Sequence, residues 1–382
     1  MKTRWLTAAA TAGLIAAVGA PAVRAQGTTT PLLAAPPTTL PADTLLPAHP
    51  ASDSAWSAVP AITAAIPAGP ACPAAGDAKQ VPFTPFMLGD FIGPVANLFT
   101  QFKIAEGESP RPIDRVFFKY NYYDNVDPTR WRNPTQLIHD VGIDQYTIGM
   151  EKTFFDGLVS LGLRLPFYTI DADPKCLTLA PNPLTGTAAL VPGGPGFDES
   201  YFGNLIAIAK ALLWDDRESG SALSAGAVIS IPTAGSLKLD PGLSALMYVQ
   251  PFSGFILTDG DAFLQGFTSM TLPVARPEAI VSFTDLGVGY YIYKDNSGSR
   301  WISAVAPTFE VHYTAPLRQV QPSAAGFGDF GDNIRVHNTI DLTFGSTFEI
   351  AQRATLGVGL AVPVTGQRPF DWEGLIQLNM MF

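Results

Sequence analysis

Charged residues are scarce in this chain, and the positive ones are the scarcer kind. Only 15% of the 382 residues are charged, against roughly a quarter in an ordinary soluble domain. The 23 Lys and Arg are outnumbered by 33 Asp and Glu, which leaves a net charge of −10. Binding a phosphate backbone needs clustered Lys and Arg, and the sequence has no basic stripe. These counts argue against a nucleic-acid partner.

Long apolar runs are missing after residue 25. A membrane-spanning helix needs about 20 predominantly apolar residues. The most tempting stretch, residues 220–237, is broken by Pro232 and by several serines and glycines. Only helices and closed barrels satisfy their backbone groups in lipid. Any membrane-embedded form of this chain is therefore expected to be a β-barrel.

Cysteine is almost absent. Cys72 lies in a Pro-rich stretch, and Cys176 lies in a predicted long loop. An exported protein reaches an oxidising compartment, where a disulfide can form. The sequence leaves two interpretations open with equal weight, a disulfide between them and two unlinked thiols.

Residues for catalysis are also few. The four histidines are His49, His139, His312 and His337, and no HExxH, CxxC or GxSxG motif is present. A metal site at Glu310, His312 and His337 is conceivable, but a structural network is the favoured interpretation. A barrel phospholipase needs a Ser–His pair on the lipid side, whereas His312 and His337 phase inward. We therefore expect no enzyme, no cofactor and no metal.

The N-terminus has the pattern of an export signal. Lys2 and Arg4 precede an apolar, Ala-rich run over residues 6–20, and Val23-Arg24-Ala25 supplies a small-x-small cleavage site. The sequence therefore predicts a signal peptide over residues 1–25 and a mature chain that leaves the cytoplasm.

Two segments of different character follow the leader. Residues 26–82 are rich in Ala, Pro and Thr with eleven prolines, so they cannot pair in a sheet and are predicted to form a periplasmic spacer. Residues 83–112 are predicted to be a short helical or irregular segment at the barrel mouth, because apolar residues recur there at helix-like spacing. Packing at the mouth is favoured over plugging the lumen or lying on the membrane.

From residue 113 to residue 382 the pattern has a period of two, which indicates β-strands. Twelve strands are predicted, each near the length that crosses a bilayer at a tilt. The fold class is therefore all-β, an antiparallel transmembrane barrel. The predicted strands are 113–123, 143–153, 157–169, 203–215, 221–233, 244–257, 262–274, 283–294, 301–314, 336–349, 353–364 and 371–382.

The predicted connections alternate between short and long. Short turns on one side and long loops on the other are typical of outer-membrane barrels, and an even strand number leaves both termini in the periplasm. Strands that run outward carry a late proline, which interrupts pairing and so marks the outer rim. These prolines are Pro166, Pro232, Pro273, Pro316 and Pro363.

Alternation also assigns the two faces of each strand. A charge that faces lipid at the membrane centre costs about 2–4 kcal/mol for a cation, so the charged positions are predicted to line the lumen. Aromatic residues at strand ends, such as Tyr120, Tyr290, Tyr291 and Trp301, are predicted to sit near the interfaces. The predicted lumen-lining residues are Arg115, Lys119, Glu151, Arg164, Lys210, Asp285, Glu310, His312, His337, Asp341 and Glu373.

The last strand ends on an aromatic residue, Phe382. A terminal aromatic on an alternating strand resembles the C-terminal signature of bacterial outer-membrane barrels, which the barrel-assembly machinery reads. That resemblance predicts an assembly signal at Phe382, a location in the outer membrane of a Gram-negative-type envelope, and membrane lipid and the assembly machinery as partners.

Short motifs in the barrel region resemble those of the phenol meta-pathway transporter-like family. They are residues 162–166 (GLRLP), 359–363 (GLAVP), 307–317 (PTFEVHYTAPL) and 114–122 (DRVFFKYNY). The resemblance implies selective passage or binding of small solutes, often aromatic or apolar, without catalytic residues. Two alternatives stay open: a structural barrel that tethers the envelope, and a translocator domain like that of autotransporters.

Overall fold

The computed structural model describes residues 85–90, 102–126, 141–172, 178–181, 188–191, 197–234, 247–274, 280–295, 300–318, 338–365 and 368–382. The predicted signal peptide and spacer, both cysteines and His337 lie outside the described residues. Within the described part of the chain, no helix has the length and apolar character needed to cross a bilayer.

The described residues form sixteen strands, because apolar and polar side chains alternate along nearly every one of them. The strands are β1 (Arg115–Asp124), β2 (Val141–Phe154), β3 (Val159–Ala172), β4 (Thr178–Pro181), β5 (Ala188–Val191), β6 (Phe197–Phe202), β7 (Leu205–Asp216), β8 (Ser221–Ile231), β9 (Tyr248–Asp259), β10 (Ala262–Pro273), β11 (Ile280–Tyr290), β12 (Tyr293–Lys294), β13 (Ile302–Arg318), β14 (Thr339–Ile350), β15 (Ala354–Pro363) and β16 (Trp372–Met381).

Twelve of these strands close an antiparallel barrel. The ring runs β1, β2, β3, β7, β8, β9, β10, β11, β13, β14, β15 and β16, and β16 pairs with β1 to seal it. β6 continues the β7 position beside the outer half of β3, and β12 continues the β11 position beside β13. β4 and β5 form a separate two-stranded hairpin. The predicted all-β, twelve-stranded barrel is confirmed.

Each predicted strand overlaps one strand position of the ring. The sequence pattern missed the β4–β5 hairpin and the β6 extension, both of which lie within the predicted loop 170–202. Pro166 explains where β7 gives way to β6. It has no N–H to donate, so β7 pairs with β3 up to Arg164 and β6 pairs from Phe167 onward.

The turns at one end of the barrel are short, and residues in them adopt the left-handed backbone conformation that tight turns require. Phe155 and Asp156 have φ of 54° and 56°, and Gly157 has φ of 84°. Ala351 and Gln352 take the same region at 49° and 58°. Two adjacent residues with positive φ match the twist of the flanking strands.

The two faces of the wall differ in polarity. Val116, Phe118, Ile148 and Leu161 are exposed on the outside. On β1, the residues that alternate with Val116 and Phe118 point inward and are buried. One aromatic prediction is wrong: Tyr291 is only 5% exposed and packs inside against Phe263, with ring centroids 5.6 Å apart. A closed wall with an apolar exterior is the form in which strands cross a bilayer, and the twelve-stranded ring of this protein has that form.

Candidate functional site

Two stretches of chain lie inside the barrel, residues 85–90 and 102–112, which together we call the inner segment. Every one of these residues is buried, and none is helical. The two halves run antiparallel, since Met87 N donates to Glu108 O at 2.9 Å. Gly89 has φ of 81° and packs so closely on the Glu106 backbone that a Cβ would not fit. The interior is therefore filled by a hairpin of the chain that precedes β1.

The inner segment meets a wall of positive charge on one side. Neighbouring strands β7, β3 and β1 carry four buried cations, and β2 between β3 and β1 carries Glu151. We call this surface the cationic arc. Its cations are Arg115, Lys119, Arg164 and Lys210.

Glu108 of the inner segment binds three of these cations at once. Its carboxylate accepts from Arg115 Nη2 at 2.7 Å, from Lys210 Nζ at 2.9 Å and from Arg164 Nη2. The cations come from three different strands, because period-two alternation turns each of them inward. A single carboxylate is thus the meeting point of β1, β3 and β7.

Glu151 of β2 balances part of the remaining charge. It accepts from Arg115 Nε at 3.1 Å and from Lys210 Nζ at 3.0 Å. Ser160 Oγ donates to it at 2.6 Å. The wall therefore supplies one carboxylate of its own, and the inner segment supplies the other.

A second acidic residue of the inner segment, Glu106, reaches the same arc. Lys119 Nζ lies 2.6 Å from its carboxylate, and Arg164 Nη1 donates to its backbone oxygen at 2.6 Å. Both contacts involve cations from the barrel wall, so the hairpin is held along most of its returning half.

Aromatic rings cover the guanidinium groups of the cationic arc. The Arg115 Cζ atom lies 4.4 Å from the Phe86 ring centroid and 4.6 Å from that of Phe117. Arg164 Cζ lies 4.5 Å from the Phe102 ring centroid and 4.9 Å from that of Phe117. Phe117 belongs to β1, and its ring occupies the space that a side chain on Gly149 of β2 would need. Cation–π attraction strengthens when water is excluded, as it is here.

The opposite wall is acidic. Asp285 of β11, Glu310 and His312 of β13, and Asp341 of β14 are all buried and form the acidic arc. Lys103 of the inner segment binds Asp285 at 2.9 Å and the inner-segment residue Asp90 at 2.5 Å. His312 Nδ1 lies 2.9 Å from Asp285 and 3.2 Å from Asp90.

Glu310 binds the backbone of the inner segment rather than a side chain. Its two carboxylate oxygens accept from Leu88 N and Gly89 N, each at 2.9 Å. Thr343 Oγ1 of β14 donates to Gly89 O at 3.0 Å. These contacts satisfy backbone groups that would otherwise be buried without partners.

An apolar patch completes the surroundings. Met87, Phe102 and Ile104 of the inner segment pack with Ile206, Phe252 and Phe267 of the wall between β7 and β10. The hairpin thus presents acids to the cationic arc, Lys103 to the acidic arc and apolar side chains to the apolar part of the wall.

These surroundings shift the pKa values of the inner segment. Burial by itself raises the pKa of Glu108, but Arg115, Lys210 and Arg164 outweigh it and hold that pKa well below 4.5. Burial likewise raises the pKa of Asp90. The nearby His312 and Lys103 lower that pKa by more than burial raises it, so the net shift is downward. Burial lowers the pKa of Lys103, but Asp285 and Asp90 raise it above 10.5. All three groups are therefore charged at neutral pH.

A cavity of about 870 Å³ opens at the end of the barrel where the short turns lie. Phe86 and Arg111, near the two ends of the inner segment, both line it, together with turn residues Asp156 and Gln352. Arg111 Nη1 is fixed there by Asp215 at 2.5 Å. Both ends of the described hairpin therefore lie at the short-turn end.

The structure places ten of the eleven predicted lumen residues inside the barrel, where they are buried. It brings Arg115 and Lys210 together with Glu151, and Asp285 together with His312. Glu373 of β16 accepts a hydrogen bond from Asn121. The eleventh residue, His337, lies outside the described residues.

Sequence reasoning missed the partners on the inner segment, Asp90, Lys103, Glu106 and Glu108. One signal was available: these four charges lie within or just after a stretch whose apolar residues recur at helical spacing. Charges in an apolar stretch need partners when they are buried, and the wall residues provide them.

One group of side chains has the geometry of a metal site. Asp90, Asp285 and His312 offer ligand atoms that all lie within 4.8 Å of one another. The Lys103 ammonium binds both of these carboxylates and so supplies the positive charge that a cation would bring. The predicted alternative with His337 cannot be compared, since that residue lies outside the described part of the chain.

No protein-family model matches the chain, and no curated protein matches it in sequence. Solved structures of outer-membrane barrels are similar to it. An outer membrane channel from Pseudomonas putida F1 aligns with TM-score 0.47 and 10% identity, over 71% of this chain and 96% of that one. The transport unit of the autotransporter AIDA-I from Escherichia coli aligns with TM-score 0.42 and 13% identity, over 75% and 95%. An anion-selective porin from Comamonas acidovorans aligns with TM-score 0.30 and 9% identity, over 71% and 98%.

Proposed function

We propose that the protein is an outer-membrane channel for small solutes and that its own inner segment closes the lumen. The observation that carries the proposal is the polarity of the wall. Besides the charged arcs, buried polar side chains face inward from at least seven of the twelve ring strands: Asn121, Gln145, Thr147, Gln250, Gln265, Thr308, Thr343, Gln377 and Asn379. A wall of this kind takes up water once the segment leaves, as a channel interior does.

The way in which the segment is held supports a removable closure. Buried ion pairs contribute little net stability against apolar packing of the same volume. Glu108, Lys103 and Glu310 therefore specify where the hairpin sits while leaving it exchangeable for water and solute.

The path of the hairpin favours a channel over a translocator domain. A translocated chain would run from one end of the barrel to the other. Here Phe86 and Arg111 both reach the cavity at the short-turn end, so the described chain enters and leaves on one side. We also propose that the channel passes small aromatic or apolar molecules selectively, as the family resemblance implies. We propose no catalytic activity.

Refolded chains of three lengths test the proposal by single-channel conductance in planar bilayers. Residues 26–382 and 81–382 keep the inner segment and are expected to give rare, small openings. Residues 110–382 lack the hairpin and are expected to give a steady conductance. The 81–382 chain is the matched control, because it loses only the residues before the hairpin. A folded 110–382 barrel that stays closed would refute the proposal, and heat-modifiable gel migration verifies folding of each chain.

A further inference from the structure

We propose that the three-cation cluster around Glu108 is the binding site for the carboxylate of a small organic anion, and that Glu108 occupies this site as an internal substitute. This inference rests on the proposed channel function and names its class of solute. It concerns Arg115, Arg164 and Lys210, together with the ring of Phe117.

The charge balance of the cluster supports an anionic ligand. Three buried cations face one wall carboxylate, Glu151, and the inner segment adds the carboxylate of Glu108. If the hairpin withdrew, the wall would keep three positive charges against one negative charge. Buried charges without partners are costly, so release of the hairpin is favoured when another anion takes its place.

The donor geometry suits a carboxylate. Arg115 and Arg164 direct guanidinium nitrogens at the same oxygen, Glu108 Oε1, and Lys210 binds the other oxygen, Oε2. Guanidinium groups match the planar fork of a carboxylate. Arg164 is 2% exposed, and its Nε has no hydrogen-bond partner among the described residues. The cluster therefore keeps a donor that Glu108 does not use.

The apolar side of the site gives the rest of the ligand a surface. Phe117 lies between the two guanidinium groups, 4.6 Å from Arg115 Cζ and 4.9 Å from Arg164 Cζ. It belongs to β1, so it stays in place when the hairpin leaves. The rings of Phe86 and Phe102, by contrast, leave with the hairpin and vacate space beside the cations. An aromatic carboxylate fits this arrangement better than a purely aliphatic one.

The cavity at the short-turn end provides the access. Phe86 lines the cavity and also covers the guanidinium group of Arg115, so its ring lies between part of the cavity and the cluster. The volume of about 870 Å³ lies within the ordinary range of small-molecule sites. A ligand can therefore reach the cluster by displacing Phe86 before the whole hairpin moves.

Calorimetric titration of the full mature chain, residues 26–382, in detergent tests the inference with benzoate as the probe. In Glu108→Gln the internal carboxylate no longer competes, so benzoate is expected to bind about tenfold more tightly than in the natural protein. The variant Glu108→Asp keeps the competing charge and is the matched control. Acetate is expected to bind more weakly than benzoate, and benzylammonium is expected not to bind.

A second variant keeps the test decisive if Glu108→Gln folds poorly. Arg164→Gln removes a donor but leaves Glu108, and it is expected to bind benzoate about tenfold more weakly than the natural protein does. An unchanged affinity in Arg164→Gln would count against the site. Equal benzoate affinity in Glu108→Gln and Glu108→Asp, or binding of benzylammonium as tight as that of benzoate, would overturn the inference. A steady conductance of the 110–382 chain without benzoate binding would leave the channel proposal standing and remove only the anion site.

Discussion

The ammonium of Lys210 on β7 lies 2.9 Å from the carboxylate of Glu108, although 102 residues separate them in the chain. The contact joins the inner segment to the barrel wall at a point where Arg115 and Arg164 also meet. It shows how charged residues are accommodated inside the barrel. They position the hairpin, and each one offsets the desolvation of another.

The contact between Glu310 and the hairpin backbone predicts a local loosening in Glu310→Gln. One carboxylate oxygen is replaced by an NH₂ group, which cannot accept from Leu88 N or Gly89 N. Losing a charge-assisted hydrogen bond costs about 1.5–3 kcal/mol, so exchange of these two amides is expected to accelerate roughly tenfold or more. Hydrogen exchange read by mass spectrometry measures it. Thr343→Val, which removes only the bond to Gly89 O, is the milder comparison, and equal protection in the two variants would contradict the prediction.

Gly89 predicts a steric test of the hairpin. Its φ of 81° already disfavours a side chain, and an alanine Cβ would clash with Glu106 Cα. We expect Gly89→Ala to expose the inner segment to protease while the barrel stays folded. Gly260→Ala is the control, because Gly260 has φ of 63° with open space around it. That variant bears only the backbone strain of about 1–2 kcal/mol. Similar protease sensitivity in both variants would show that the tight contact does not matter.

The lowered pKa of Glu108 predicts how the closure depends on pH. A group whose folded pKa lies below its ordinary value stabilises the fold above that ordinary value, and its contribution is lost as the pH falls toward the folded pKa. Conductance is therefore expected to stay low between about pH 5 and pH 8 and to rise only below 4.5. Single-channel recording across this range measures it. Glu108→Gln has no carboxyl group at this position to protonate. Its conductance is therefore expected to increase less in acid than that of the natural protein.

The outward face predicts a position-dependent cost of charge. Leu163 lies mid-strand on the lipid side, whereas Leu158 adjoins the short turn. Arginine near the membrane centre costs about 2–4 kcal/mol and near an interface about 0–1 kcal/mol. Denaturant unfolding in lipid vesicles is expected to show this difference between Leu163→Arg and Leu158→Arg. Equal losses of unfolding free energy would argue that Leu163 does not face lipid.

Phe382 is predicted to act in assembly more than in stability. Its ring is 66% exposed and lies 5.3 Å from Lys152 Nζ, so it contributes little packing. We expect Phe382→Ala to reduce the amount of protein inserted in cells while refolding into detergent proceeds normally. Phe155→Ala, at an exposed turn position, is the control for loss of an aromatic ring. An equal reduction in both variants would remove the special role of Phe382.

Much of the barrel could be predicted because strand faces are a local property. Period-two alternation and the cost of charge in lipid act on each strand separately, so Arg115, Glu151 and Arg164 were assigned inward without knowledge of their partners. The same reasoning failed at Tyr291. A strand-end aromatic is compatible with either face, and packing against Phe263 decided which one it took.

Only part of the candidate site could be predicted from the sequence. The wall charges were identified, but Asp90, Lys103, Glu106 and Glu108 were not assigned to them. Their pairing depends on where the hairpin runs and on which strands become neighbours when β1 and β16 seal the ring. Neither the path of the hairpin nor the pairing of β1 with β16 can be derived from a periodic pattern in the sequence.

The twelve strands and their inner and outer faces can be derived from the order of the amino acids, because each follows from the alternation of neighbouring residues against lipid and water. The meeting of three cations from three strands at Glu108, and the filling of the lumen, cannot be derived in that way. Those arrangements depend on distances between residues far apart in the chain, and such distances exist only after the barrel has closed around its inner segment.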